Sequence, residues 1–241
     1  QWLGIDWDEG PYFQTEFAAD HIEAANRLLA SGHAYKCFCT REELERKREA
    51  ALAAKKREVG YDGTCRHLSP AEVQAKEAQG LPAVIRFKVP VRPGNLFYDD
   101  EVLGRIERAY SDIEDFVIVR SNGKPLYLLC NVVDDIRDRI SHVIRGQDHM
   151  TNTTRQVLLY EALGAPLPVF AHMPLTMDLQ KRKISKRSHG EVVAVQFYRD
   201  RGFIPWAVCN FLSLLGWNPG NDREYFTREE MIEVFSLSRI S

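Results

Sequence analysis

The chain has 241 residues, enough for one large domain or two smaller ones with a sizeable core. Hydrophobic residues make up 44% and charged residues 27%, the balance of a globular protein that needs no disulfide staple. Lys and Arg number 32 against 34 Asp and Glu, so a net charge of -2 excludes a uniformly basic nucleic-acid binder but leaves room for a locally basic face.

The chain opens on Gln1-Trp2-Leu3-Gly4 without an initiating Met and reads as part of a longer protein. Residues 13 to 31 predict a helix, with Phe13, Phe17, His21, Leu28 and Leu29 near a 3.6 period and Gly32 as its stop. After a Cys-rich turn, Thr40 and Glu43 form a capping box. The helix behind them, to about Lys56, is very polar. Ser69 and Glu72 form a second box, with Pro70 at the first helical position and Gly80 after the end. Ala83 to Val89 alternates as a half-buried strand, with Ile85, Phe87 and Val89 on one face and Arg86 and Lys88 on the other. Residues 91 to 112 read as short strands and turns.

Beyond Asp112 the pattern changes. Phe116 to Val119, Leu126 to Val133 and His142 to Ile144 are apolar, β-branched runs that predict strands buried on both faces of a parallel sheet. Thr153 to Leu163 predicts a helix closed by Gly164. Further helices are expected over 192 to 200, Pro205 to Leu215 and Thr227 to Phe235, the last with a capping box at Thr227 and Glu230. No internal repeat or low-complexity stretch interrupts this order. No apolar run approaches the ~20 residues of a membrane helix, and no signal peptide is present.

Three constellations carry chemistry. The first is Cys37-x-Cys39, then 25 residues, then Cys65-x-His67. Two close pairs of soft ligands suit tetrahedral zinc. Tyr61, four residues before Cys65, competes with His67 for the fourth place. The odd total of five cysteines also fits metal binding in a reduced, cytoplasmic compartment better than a disulfide framework. The second is Lys181 to Arg187, with five cations in seven residues. A charge run alone favours a solvated loop. The order Lys183-Ile184-Ser185-Lys186-Arg187 is sharper, because ammonium groups on a mobile loop follow a migrating triphosphate charge. The third is Tyr127, Asn131, Asp134 and Asp135 with Arg145 to His149, polar groups at the ends of predicted strands, where ligands bind in open α/β sheets.

At these residues the chain resembles the glutamyl-tRNA synthetase family, class I aminoacyl-tRNA synthetases, over nearly its whole length. The matching stretches include Trp2 to Pro11, Tyr61 to Arg66, Arg86-Phe87-Lys88, Asn131 to Asp135, His142 to Gly146, Lys183 to Arg187 and Phe211 to Trp217. The resemblance implies an α/β, Rossmann-like catalytic domain interrupted by an α+β connective-peptide insertion and followed by a helical stem-contact region. Residues 1-33 would be the remainder of the first catalytic half, 34-111 the insertion that handles the tRNA acceptor end, 112-190 the second half, and 191-241 the start of the stem-contact domain. The implied reaction joins L-glutamate to tRNA(Glu) through a glutamyl-adenylate, with ATP and Mg2+, in a monomeric enzyme.

Position by position, the resemblance makes Lys186 the catalytic loop lysine, within an ATP-binding set of Lys183, Ile184, Ser185, Lys186, Arg187, Asp148 and Thr176. Tyr127, Asn131 and Arg145 fall at glutamate-pocket positions. Cys37, Cys39, Cys65 and His67 would hold one structural zinc.

The chain also departs from the family. The His-x-Gly-His motif does not occur in it, so these 241 residues alone are expected to be inactive. Gln147 stands where Glu is usual, and Ile136-Arg137-Asp138-Arg139 differs from the usual segment. Three other readings compete: a paralogue that glutamylates a queuosine base of tRNA(Asp), a non-catalytic zinc module that binds RNA, and a glutaminyl-tRNA synthetase, which the Cys-x-Cys pattern and the Arg145 segment fit less well. The first is disfavoured by the intact loop, the second by the pocket residues.

Overall fold

A computed structural model describes residues 1–55 and 60–240. After a short 3-10 turn at Gln14–Phe17, α1 (Ala18–Ala30) buries His21, Ala24, Ala25 and Leu28 along one stripe. Strand β1 (Ala34–Cys37) leads to α2 (Arg41–Ala53), and α3 (Pro70–Ala78) precedes β2 (Val84–Phe87). Both helices start on the predicted capping boxes: Thr40 Oγ1 accepts from the Glu43 amide at 3.2 Å, and Ser69 Oγ from the Glu72 amide at 3.3 Å. No residue of α2 is buried, in keeping with its polarity. Lys56, the expected end of that helix, lies outside the described residues.

The hairpin β3 (Asn95–Asp100) and β4 (Gly104–Ala109) fills the region expected to hold short strands. Then come β5 (Phe116–Val119), α4 (Tyr127–Arg137), β6 (His142–Gly146), α5 (Met150–Leu163) and β7 (Val169–Met173). Gly164 closes α5 at φ 71°, a left-handed conformation that glycine adopts without strain. The short α6 (Lys186–His189) and α7 (Val195–Asp200) lead to α8 (Pro205–Ser213) and α9 (Arg228–Val234), and Thr227 and Glu230 cap α9 reciprocally.

Two sheets result, one with strand order β1-β2-β5 and one with order β4-β3-β7-β6. β6 and β7 are parallel in register from His142 opposite Val169 to Gly146 opposite Met173, and β3 joins β7 in parallel at Asp100 and Phe170. The expected division at residue 111 is therefore not a division between sheets. β5, placed beyond it, pairs with β2, while β3, placed before it, pairs with β7.

Several expectations change. Leu126 to Val133 is not a strand: Tyr127–Arg137 is a helix. Leu129, Val132, Val133 and Ile136 recur at helical spacing, and their apolar stripe packs into the core. β5 is apolar on both faces, with Phe116, Ile118 and Val119 buried, but it belongs to the antiparallel sheet. β6 is the last strand of its sheet, which leaves His142 and Ile144 exposed. β2 is covered on both faces, because Arg86 is buried as well as Phe87. Its guanidinium lies over the Tyr61 ring at 3.8 Å and donates from Nη1 to the Asp115 carbonyl at 3.1 Å.

The main core joins the inner faces of α1, α4 and α5 to both sheets through Leu28, Phe87, Ile118, Leu129, Leu158 and Phe170. Each such side chain contributes about 1.5–3 kcal/mol when fully buried. A satellite cluster of Cys37, Phe38 and Cys65 packs with Tyr61, Leu68, Val73 and Val84, and a third gathers Trp217, Phe226 and Met231.

Candidate functional site

The carboxyl ends of β6 and β7 place Arg145 directly opposite His172. Helix α4 brings Tyr127 and Asn131 to the same place, because positions i and i+4 share a helix face. Helix α5 adds Thr153 and Gln156. Arg145 donates from Nη2 to Thr153 Oγ1 at 2.7 Å and to Gln156 Oε1, and from Nη1 to Tyr127 Oη at 3.3 Å. Gln156 in turn donates to Asn131 Oδ1. Tyr127 is 45% exposed, so this guanidinium cluster opens to solvent on the tyrosine side. The three expected pocket residues, Tyr127, Asn131 and Arg145, are thus brought together.

Beneath Arg145 lies a buried pair. His172 is 0% exposed and Asp100, at the end of β3, 4%. The Asp100 carboxylate sits 2.6 Å from His172 Nδ1 and accepts from the Val102 and Leu103 amides at 3.0 Å each. Burial pushes its carboxyl up, but hydrogen bonds from His172 and these amides outweigh that and hold it below the usual value. Thr153, Gln156, His172 and Asp100 were not singled out in the sequence. The available signals are weak: Thr153 and Gln156 sit three apart on one helix, and His172 interrupts an otherwise apolar strand.

The second cluster is the cationic loop. Met177 bridges Lys183, and Thr176 accepts through its carbonyl from the Ile184 amide at 3.0 Å. The Asp178 carboxylate ties the tip of this hairpin, accepting from the Arg182 amide at 2.8 Å, the Gln180 amide at 2.9 Å and the Arg182 Nε at 2.8 Å. Those backbone bonds, the Arg182 amide first, hold its carboxyl well below the ordinary carboxylate range. Lys183 ion-pairs with Asp148, just beyond β6. A Cβ on Gly146 would come within 2.6 Å of Asp148 Oδ1, so glycine there lets that carboxylate fold back over the strand end. Ser185 caps the four residues of α6, and Lys186 and Arg187 project exposed from it. The loop thus joins Lys183, Asp148, Thr176 and Ile184 and leaves Lys186 free of any ion pair among the described residues.

The third cluster is the thiol group. The Sγ atoms of Cys37, Cys39 and Cys65 lie within 4.8 Å of one another. His67 is exposed and outside that cluster. Tyr61 lies beside the cluster: its Oη is 3.4 Å from Cys37 Sγ and accepts from the Cys65 amide at 2.9 Å. Burial, the nearby Cys37 and the neighbouring Cys65 push the Cys39 thiol up to about 12. At Cys37 burial acts in the same direction, but hydrogen bonds from Tyr61 and Arg86 prevail and lower it. Three crowded sulfurs are a donor set suited to a soft cation.

Among the described residues no helix is long and apolar enough to cross a membrane.

The comparisons with known proteins fit this arrangement. The chain is 68% identical over its whole length to a glutamate–tRNA ligase of Desulfotalea psychrophila and 48% identical to glutamate–tRNA ligase 2 of Koribacter versatilis. It spans about half the length of these curated relatives, 48% and 50%. A crystal structure of the glutamate–tRNA synthetase of Elizabethkingia anophelis superposes on 99% of the chain, and 54% of its own, with a TM-score of 0.85 at 30% identity. A glutamate–tRNA ligase of Elizabethkingia meningosepticum, solved in complex with its amino acid, gives a TM-score of 0.86 at 30% identity, over 99% of this chain and 53% of that one. The family model for the catalytic domain of class I tRNA synthetases (E and Q) matches residues 1–241, and the chain belongs to that family.

Proposed function

We propose that the protein carrying this chain activates L-glutamate with ATP and attaches it to tRNA(Glu). The observation that carries this reading is the guanidinium of Arg145, held by Tyr127, Thr153 and Gln156 at a solvent-open strand end beside the cationic loop. Arg145 is suited to the glutamate side-chain carboxylate, because its guanidinium keeps one Nη1–H beyond the Tyr127 bond for a charge-assisted hydrogen bond to it. Asn131, locked by Gln156, and Tyr127 would fix the substrate's orientation. The glutamate α-carboxylate then attacks the α-phosphorus of ATP, forming the acyl-phosphate bond and expelling pyrophosphate. Lys186 would meet the charge that builds on the leaving phosphates, with Lys183, Ser185 and Arg187 around it and Ile184, Thr176 and Asp148 holding the loop near the nucleotide. Mg2+ bound with ATP would neutralise part of that charge. In the second step a ribose hydroxyl of the terminal adenosine of tRNA attacks the acyl carbon and releases AMP.

The expected test product is a glutamyl ester at the tRNA 3′ end. With the full-length protein, ATP and labelled glutamate, tRNA(Glu) should become charged and lose its label on mild alkaline treatment. Label appearing instead on a base of tRNA(Asp), or no label on either tRNA, would overturn the reading.

We further propose that Cys37, Cys39 and Cys65, with Tyr61 in preference to His67, hold one structural zinc in the lobe that meets the acceptor end. The lobe buries little else, since α2 contributes no buried residue. A metal fixing its two turns would contribute folding energy directly. Protein purified without chelator should carry about one equivalent of zinc. Cys65→Ser should lose it, Tyr61→Phe should weaken it and His67→Ala should keep it. Zinc lost on His67→Ala and retained on Tyr61→Phe would restore histidine as the fourth ligand.

A further inference from the structure

The Asp100–His172 pair sits directly under Arg145 and touches no surface that a substrate could reach. Its geometry fixes which ring nitrogen carries the proton. An ionised carboxylate only accepts, so Asp100 Oδ2, 2.6 Å from His172 Nδ1, requires a proton on Nδ1. The other nitrogen, Nε2, lies 2.8 Å from Thr153 Oγ1 and 3.5 Å from Arg145 Nε. Arg145 Nε has only a hydrogen to offer. Thr153 Oγ1 already accepts from Arg145 Nη2 at 2.7 Å, and of the two acceptors for its own proton, Nε2 at 2.8 Å is nearer than the His149 carbonyl at 3.2 Å. Both neighbours therefore present hydrogens to a bare Nε2. The ring is packed against Phe170 and Tyr98, with no water-facing side into which it could turn.

We infer that Asp100 and His172 form a positioning dyad, in which the carboxylate holds His172 as the Nδ1–H tautomer so that Nε2 accepts from Thr153 and Arg145 and orients the guanidinium toward the amino-acid substrate. Neither residue touches substrate; both act through Arg145. The inference rests on the proposed role of Arg145 toward glutamate. With the opposite tautomer, an Nε2–H would point at the Arg145 Nε–H. The guanidinium would be pushed away from the position in which it now bonds Tyr127 and Thr153.

Asp100→Asn tests this effect. Oδ1 of Asp100 accepts from the Val102 and Leu103 amides at 3.0 Å each, and the His172 amide is shared between Oδ1 at 3.2 Å and Oδ2 at 3.1 Å. An asparagine with its carbonyl in the Oδ1 position keeps the Val102, Leu103 and His172 bonds to that oxygen, loses only the half of the His172 amide bond that went to Oδ2, and turns its amide N–H toward Nδ1. Nδ1 must then accept, and the proton moves to Nε2.

The experiment uses the full-length protein with 15N-labelled histidine near neutral pH. His172 is assigned by the signal missing in His172→Gln. In the wild type its Nδ1 should be protonated and its Nε2 bare. In Asp100→Asn the two should exchange, and the KM for glutamate should rise about tenfold or more, the cost of one hydrogen bond to a charged group. The kcat at saturating glutamate should change much less, and so should the KM for ATP. A wild-type ring protonated on Nε2 overturns the dyad whatever the substrate, even if the variant does not fold. A folded Asp100→Asn with reversed tautomer and unchanged glutamate KM overturns its positioning role. A wild type with the Nδ1–H ring that never uses glutamate overturns the reading of Arg145 on which the inference rests.

Discussion

Lys186→Ala should slow glutamyl-adenylate formation by roughly 10²–10³-fold, the usual loss when one donor to developing transition-state charge is removed. Two features motivate the size. Lys186 is exposed and has no ion-pair partner among the described residues, so its ammonium is available to a triphosphate. Lys183, by contrast, is already paired with Asp148 and reads as a loop anchor. The hairpin from Thr176 to Ile184 and the Ser185 cap set where α6 begins, and hence where Lys186 points. Pre-steady-state pyrophosphate release with saturating glutamate, ATP and tRNA measures the step. The tRNA affinity should stay within a few-fold of wild type. Collapse of tRNA binding with an unchanged activation rate would move Lys186 from the triphosphate to a phosphate-backbone patch.

Arg145→Ala should weaken glutamate binding by about 2–5 kcal/mol, the range for truncating one partner of a buried charge pair. That corresponds to roughly 30- to 4,000-fold in affinity. Arg145→Lys should recover only part of it, because a point charge cannot hold Tyr127, Thr153 and Gln156 together. The fold should survive, since the residue lies at a strand end and not in the main core. Equilibrium titration with glutamate checks both variants. Affinities equal to wild type would remove Arg145 from the pocket.

The elements that were easiest to read from the sequence are those set by neighbours in the chain. All three capping boxes, at Thr40, Ser69 and Thr227, start helices where expected, because the bonds that define them span three residues. The thiol cluster was legible from two short spacings, yet its surroundings were not. His67 and Tyr61 are both close to Cys65 in sequence, and only the turn geometry leaves His67 exposed and sets Tyr61 beside the thiols.

The strand expected over Leu126 to Val133 shows the opposite case. Adjacent β-branched and apolar residues suggested a buried strand, while the spacing of Leu129, Val132, Val133 and Ile136 carried the helical period that won. That helix is also what gathers Tyr127 and Asn131 onto one face beside Arg145. Strand pairing was not legible at all. Nothing local tells β5 to join β2 or β3 to join β7, and so the contact of Asp100 with His172, 72 residues away, could not be foreseen.

The measurement that tests the account most directly is a crystal structure of the full-length protein with glutamate bound. The side-chain carboxylate should lie at about 3 Å, hydrogen-bonding distance, from the Arg145 guanidinium, beside Tyr127 and Asn131. Glutamate bound with that carboxylate elsewhere, and Arg145 still held only by its protein partners, would contradict it.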